Sequence, residues 1–414
     1  MAKAKKTTNV PAGEPVFGEQ IPTSDPTKNK IPHLSDAAHY KLMVKQVQPI
    51  PVPKDAGNLV MTLADAYGKN GPAITNAITK AGQIVFHAGG DTGPTTGPKT
   101  IEEVVDKMVL DYSGEEKGEA PSFFFHLGDL VYSFGESTYY YDQFFEPFRN
   151  YPAPIFAVPG NHDGLSYKGD REAYMAAFLR NFVSPSPVPS PDAGGLGRTT
   201  MTQPGVYFAL DAPFVTILGL YSNVLEDPGV ISSEGGKLPL TDEQLVFLKA
   251  QLVRLKDAKK CVIIAVHHPP FSYGGSHGGS PKMLADIDGC CTDANFWPHA
   301  VISGHAHSYQ RFSRTISKSI AKGKADYETP YIVCGNSGHG LSKIGGKNGA
   351  TLRAPVQVND SLVFENYDDT NFGYLRIVCD AAQLRIEYHD AEPNEKTYSD
   401  AVTVDIASHT IIAN

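Results

Sequence analysis

From residue 83 onward, short apolar runs alternate along the chain with stretches of helical period. The runs are "QIVFHAGGD", "SFFFHLGD", "PIFAVPGNHD", "FVTILGLYSN", "CVIIAVHH" and "AVISGHAH". Unbroken runs of this length, rich in Val, Ile and Phe, predict strands buried on both faces. Between them, Ile101, Val104, Val105, Met108 and Val109 fall on one helical face, with Thr100 as the expected N-cap and Glu103 as its reciprocal partner. "LTDEQLVFLKAQLVRLK" has the same form, with Thr241 as N-cap and Gln244 at the reciprocal position. Strand–helix alternation of this kind predicts a layered α/β domain.

Both ends of the chain depart from that rhythm. At the C-terminal end, "PYIVCGN", "GYLRIVCD", "QLRIEYHD" and "AVTVDI" are separated by turns with no room for crossover helices, which predicts an antiparallel addition to the sheet. Residues 1–55 are polar and punctuated by proline, the composition of an extended or partly disordered leader. Residues 56–82 form a short helical lead-in packed on the main domain, two helical pieces interrupted by Gly-Pro, and residues 83–414 form the main domain. A Pro/Ser/Gly loop is expected over 183–205.

The strands end alike. Asp91 follows "IVFHAGG", Asp129 follows "FFFHLG", Asn161 follows "IFAVPG", His267 follows "CVIIAV", and His305 and His307 follow "AVISG". In open α/β sheets, ligands bind at the carboxyl ends of the strands, where loops from several strands converge. Any one of these residues alone reads as a turn, a cap or an interior histidine. Five strands delivering Asp, Asp, Asn, His and His-x-His to one edge read as a coordination set.

Composition adds exclusions. A net charge of −9 argues against a protein that binds a nucleic-acid backbone. The five cysteines lack C-x-x-C spacing, and the adjacent pair Cys290-Cys291 is expected in a loop as inert thiols. The N-terminus has the charges of a signal peptide without its apolar stretch, and no run reaches the roughly 18 apolar residues of a membrane span. A cytoplasmic protein with no membrane partner is the expectation.

The ordered blocks "GDTG" (90–93), "GDLVY" (128–132), "GNHD" (160–163), "HHPP" (267–270) and "GHAH" (304–307) resemble the calcineurin-like metallophosphoesterase superfamily. Most members carry a histidine two positions after the first aspartate. Here that place holds Gly93, and Tyr132 fills the tyrosine position of G-D-x-x-Y. In both respects the chain is similar to the purple acid phosphatase branch, as it is in "GHAHSYQR" (304–311). The resemblance implies a layered α-β-β-α sandwich with mixed sheets and a dinuclear metal site at the C-terminal ends of the strands.

Carried over residue by residue, the resemblance assigns Asp91, Tyr132 and His307 to one metal, Asp129 to a bridge, and Asn161, His267 and His305 to the other. Two carboxylates and a phenolate suit Fe³⁺. Two imidazoles and an amide oxygen suit Zn²⁺, Fe²⁺ or Mn²⁺. The implied reaction is hydrolysis of a small phosphorylated substrate, in the first place a phosphomonoester, by a metal-bound hydroxide, with His162 assisting the leaving group and His277 as a further catalytic histidine. Asn161, His162, His277 and Tyr309 are the expected substrate contacts. A phosphodiesterase acting on nucleotide-type diesters, or a metal-binding scaffold without turnover, would carry the same motifs.

Overall fold

The computed structural model describes residues 37–95, 97–113, 119–165, 172–273, 277–322, 325–345, 352–392 and 398–412. Residues 1–36 of the expected leader lie outside the described residues. Its remainder holds a helix, Ala37–Met43, where an extended arm was expected.

The strands in chain order begin with β1 (Val60–Thr62), β2 (Gln83–Gly89), β3 (Phe124–His126), β4 (Ile155–Ala157), β5 (Phe208–Ala212) and β6 (Val215–Leu220). There follow β7 (Cys261–Val266), β8 (Ala300–Ser303), β9 (Tyr309–Ile316), β10 (Tyr327–Cys334), β11 (Val356–Asn359) and β12 (Leu362–Asp368). The last four are β13 (Gly373–Asp380), β14 (Gln383–Asp390), β15 (Asp400–Asp405) and β16 (Thr410–Ile412). They form two mixed sheets. One has seven strands in the order β16-β15-β14-β13-β2-β3-β4, and the other has nine in the order β1-β5-β6-β7-β8-β10-β9-β12-β11.

Period-two alternation builds the layers. On β7, Cys261, Ile263 and Ala265 face the other sheet and share a core with Phe86, Phe125, Phe156 and Ile377. The intervening Val262, Ile264 and Val266 pack outward with Phe247, Leu248 and Leu252 of the helix Glu243–Leu255 and Met283 of the helix Pro281–Ala294. Across the molecule, Phe124 faces the helix Lys99–Leu110, whose Ile101, Val104, Val105 and Met108 are fully buried. Burying each of those side chains contributes about 2 kcal/mol. The result is the α-β-β-α sandwich that the motifs implied.

Several local expectations gave way to longer-range bonds. Gln244 does not reach back along its helix; its amide bonds the backbone N–H and C=O of Tyr221, tying the helix to the end of β6. Asp242, not Thr241, occupies the N-cap. Thr100 lies inside its helix and donates to the Gly338 carbonyl. The expected helical lead-in holds the helices Leu63–Tyr67 and Gly71–Ala81, and before them β1, which pairs in parallel with β5. Cys290 and Cys291 are buried on a helix, not in a loop. The "PYIVCGN" run becomes β10 of the nine-stranded sheet, parallel to β8, while the other three late runs form the antiparallel meander β13 to β15. Among the described residues, no helix is long and apolar enough to cross a membrane.

Candidate metal centre

The parallel strands β2, β3 and β4 of one sheet and β7 and β8 of the other release their chains at one rim, and the turns there are sharp. Asp91, Asp129 and His305 all have left-handed backbones, with φ of 59°, 57° and 67°, a conformation costly for residues with a Cβ and common at functional sites. Each follows a glycine whose missing Cβ makes room. A Cβ on Gly304 would lie 2.6 Å from Asp91 Oδ2, and one on Gly128 would lie 2.6 Å from His267 Nδ1.

Asp163 fastens two of these turns together. Its carboxylate accepts from the backbone N–H groups of Asp129, Leu130, Val131 and Gly160. Burial and the nearby Asp129 carboxylate push its pKa up to about 7. Sequence reasoning gave this residue no role, although it is the last letter of "GNHD".

Around that frame the predicted side chains meet. Tyr132 donates to Asp91 Oδ1 at 3.0 Å, and His307 Nε2 lies 3.4 Å from that same oxygen and from the phenol. Asp91 Oδ2 accepts the backbone N–H of His305 at 2.7 Å. His267 Nε2 stands 3.0 Å from Asn161 Oδ1 and 3.3 Å from Asp129 Oδ2. Asp129, His267 and His305 together present ligand atoms within 4.8 Å of one another. All but His307 are fully buried.

The donor chemistry fits cations. His267 Nδ1 donates to the Leu127 carbonyl at 2.8 Å, so in the neutral ring Nε2 is a lone pair facing the oxygens of Asn161 and Asp129. Acceptors facing acceptors need a positive charge between them. His305 Nε2 and Asn161 Nδ2 are buried with no hydrogen-bond partner, the kind of orphan that points to a missing partner. Electrostatics agree. Burial alone would lower the His267 pKa, but the carboxylates of Asp129 and Asp91 outweigh it and raise it to about 9. Asp129 is held well below the usual carboxylate range; burial opposes this, and His267 and His162 prevail. His305 is driven well below its ordinary value by burial and by its histidine neighbours His267 and His277.

Tyr132 is pushed well above the usual tyrosine range by burial and then by Asp129 and Asp91. Its ring stacks on His339 at 3.5 Å. A Cβ at position 93 would lie 3.0 Å from that ring and 2.6 Å from Gln143 Oε1. Glycine at 93 and tyrosine at 132 are thus one packing arrangement.

The neighbouring histidines sort themselves by partners. His268 bonds Ser222 Oγ and the Leu225 carbonyl, which occupies both ring nitrogens and turns it away from Asp129. His126 bonds Thr92 and the Gly128 N–H, and His87 bonds Asp111 and Tyr151, so both are interior histidines. His162 Nδ1 donates to the Ser133 carbonyl at 2.9 Å, while its backbone N–H donates to Asp129 Oδ1. His277 stands 3.7 Å from Asp227, which raises its pKa against the opposing effect of burial.

Tyr309 is placed elsewhere. Its side chain turns into the core between the sheets, stacks on Tyr388 at 4.0 Å, and donates to Asp400 at 2.8 Å. Arg311 pairs with the same carboxylate. The expected substrate contact at Tyr309 is therefore corrected: as the first residue of β9, it alternates inward.

A cavity of about 310 Å³ opens over the centre, lined in part by Asp129, Tyr132, His162, His277, His305 and His307. Four further lining residues escaped the sequence reading, Ser133 and Phe134 directly after Tyr132, and the more distant Tyr40 and Glu226. Tyr40, from the helix in the leader, stacks beside His162 with ring centres 5.7 Å apart and donates to Glu226 at 2.7 Å. No local pattern marks either residue.

A family model described as calcineurin-like phosphoesterase matches residues 88–309, more than half of the chain. No curated protein sequence matches. Among solved structures, GAP50, the anchor in the inner membrane complex of Plasmodium, is similar over 76% of this chain and 87% of its own, at 15% identity and a TM-score of 0.50. A structure of PhoD covers 79% of this chain and 70% of its own at 13% identity and a TM-score of 0.47. A dimetal phosphatase from Danio rerio covers 78% and 99% at 10% identity and a TM-score of 0.42. At such identities the GAP50 likeness speaks for the fold alone.

Proposed function

The chain belongs to the calcineurin-like phosphoesterase family, and we propose that it hydrolyses small phosphate esters, in the first place monoesters, with two metal ions at the rim. One observation carries this reading. Side chains from five strand ends meet in a buried cluster where His267 Nε2 faces two oxygens and His305 Nε2 has no hydrogen-bond partner.

Asp91, Tyr132 and His307 would hold one ion, Asn161, His267 and His305 the other, and Asp129 would serve both. Two such ions neutralise phosphoryl oxygens and lower the pKa of water toward neutrality. The chain's own residues do the rest. His162 lines the cavity, fixed through Nδ1 to Ser133 and with Nε2 3.4 Å from the Tyr40 hydroxyl, and would protonate the leaving oxygen. His277 lines the same cavity, and Asp227 favours its protonated form, which suits it to a phosphoryl oxygen.

The joint packing of Gly93 and Tyr132 supports the purple acid phosphatase-like branch, with Fe³⁺ beside the phenol and Zn²⁺, Fe²⁺ or Mn²⁺ opposite. Elemental analysis with a visible spectrum tests the assignment. Two metals per chain and a charge-transfer band lost in Tyr132→Phe are expected; two divalent ions without the band overturn it. Rates on 4-nitrophenyl phosphate and on bis(4-nitrophenyl) phosphate test the ester class. Faster turnover of the bis-ester overturns the monoester reading, and hydrolysis of neither by metal-loaded protein overturns the enzyme reading.

A further inference from the structure

The cavity is built for an anion at its floor, yet its walls carry the opposite charge preference. Among the described lining residues none is Lys or Arg, and Glu226 is a wall carboxylate. Asp227, next in sequence, lies beside His277 and His305. Once the phosphoryl group is neutralised at the floor with His277 beside it, no Lys or Arg among the described lining residues would pair with a second phosphate, a sulfate or a carboxylate on the rest of the substrate.

The residues next to His162 show what the wall would accept instead. A group carried by a leaving oxygen at His162 would next meet Tyr40, whose hydroxyl lies 3.4 Å from His162 Nε2. Tyr40 donates to Glu226 Oε2 at 2.7 Å, and its ring stands edge-on to Phe134 at 6.0 Å. The arrangement is fixed from outside the cavity. Val44, Phe134, Leu165 and Val224 form a small buried cluster with Tyr40 and Met43 against it. The Glu226 N–H donates to the Val44 carbonyl at 3.1 Å. Two aromatic rings and a carboxylate held together in this way make a receptor for an ammonium group, through the ring quadrupoles and the negative charge at once.

We propose that the substrate is the phosphate ester of a short amino or quaternary-ammonium alcohol, with its cationic end against Tyr40, Phe134 and Glu226. This rests on the hydrolytic reading above and narrows it to a substrate class. It also works against nucleotides and other polyanions, because a like charge facing Glu226 is repelled.

The test uses the full metal-loaded chain and two esters of one shape, choline phosphate and 3,3-dimethylbutyl phosphate, which differ only in the charge of the quaternary centre. A kcat/KM ratio of about tenfold or more in favour of choline phosphate is expected. Glu226→Gln should bring that ratio toward one, and Tyr40→Leu should lower it less. Because the ratio is read within each protein, a general loss of activity does not disturb it. 4-Nitrophenyl phosphate, assayed in parallel, reports hydrolysis itself. If it turns over while the two esters are processed alike, the charge preference is wrong and the hydrolytic reading stands. If nothing turns over, the hydrolytic reading fails, and calorimetric binding of the same two esters decides the preference: tighter choline phosphate binding supports it and equal binding overturns it.

Discussion

On one side of Asp129, Asp91, Tyr132 and His307 engage one another: the phenol donates to the carboxylate, and the imidazole stands 3.4 Å from both. On the other side, Asn161, His267 and His305 crowd together with their bonding unmet. His267 Nε2 faces the Asn161 oxygen, and His305 Nε2 has no hydrogen-bond partner, with Asp227 Oδ1 3.5 Å away. The first half can stand as a hydrogen-bonded cluster; the second needs a positive charge. A proton on His267 can supply it, since that ring is held to about 9, and so can a metal ion. The difference teaches where proton and metal compete, and where a metal must instead displace a phenolic proton that burial and two carboxylates retain.

The widest break in this comparison is Asp129→Asn, because Asp129 borders both Tyr132 and His267. Hydrolysis of 4-nitrophenyl phosphate should fall by about 10³-fold or more with the circular dichroism spectrum retained. A loss below tenfold would remove Asp129 from the shared position.

Substitutions confined to one half should separate the two. His267→Ala should release metal and lower activity by about 10²-fold or more. Tyr132→Phe should retain both metals, with a smaller loss in rate. Metal content and rate, measured together, check the order; a larger metal loss in Tyr132→Phe would reverse the assignment of which half depends on its ion.

A pH titration sharpens the second half. In the metal-free protein the raised His267 pKa contributes stability that is fully present below its unfolded value of about 6.5 and lost as pH rises through about 9. An incoming ion must displace that proton. Apparent metal affinity should therefore rise about tenfold per pH unit below 9. Metal titration across neutral pH reads this directly, and a flat profile would mean that His267 binds no proton there.

The smallest effect is expected at Tyr309→Phe. Its hydroxyl serves Asp400 in the core, and Arg311 still pairs with that carboxylate after the change. Stability should drop by about 1 kcal/mol, read as a lower melting temperature, with kcat/KM within twofold of the original. A loss of activity without a loss of stability would return Tyr309 to the substrate pocket.

What could be read without coordinates follows from two local rules. Unbroken apolar runs identified β2, β6, β7 and β8 because a strand buried on both faces has no polar alternation. The residues that follow β2, β3, β4, β7 and β8 marked the candidate metal centre because a parallel strand delivers its next loop to the carboxyl rim. Tyr309 shows the limit of motif proximity: it lies two positions after His307, yet strand alternation sends it into the core between the sheets.

Three features were set only by the folded chain. Asp163 gathers the N–H groups of two separate turns, Gln244 bonds the backbone of Tyr221, and Tyr40 and Glu226 meet across 186 positions. Each depends on which backbone atoms or side chains arrive opposite a given residue, and that is fixed by sheet order and layer packing. The sequence by itself determined the chemical types at the floor of the cavity, since these follow their strands directly. Tertiary structure alone decided the charge and shape of its walls, because they come from segments that share no strand, no period and no motif.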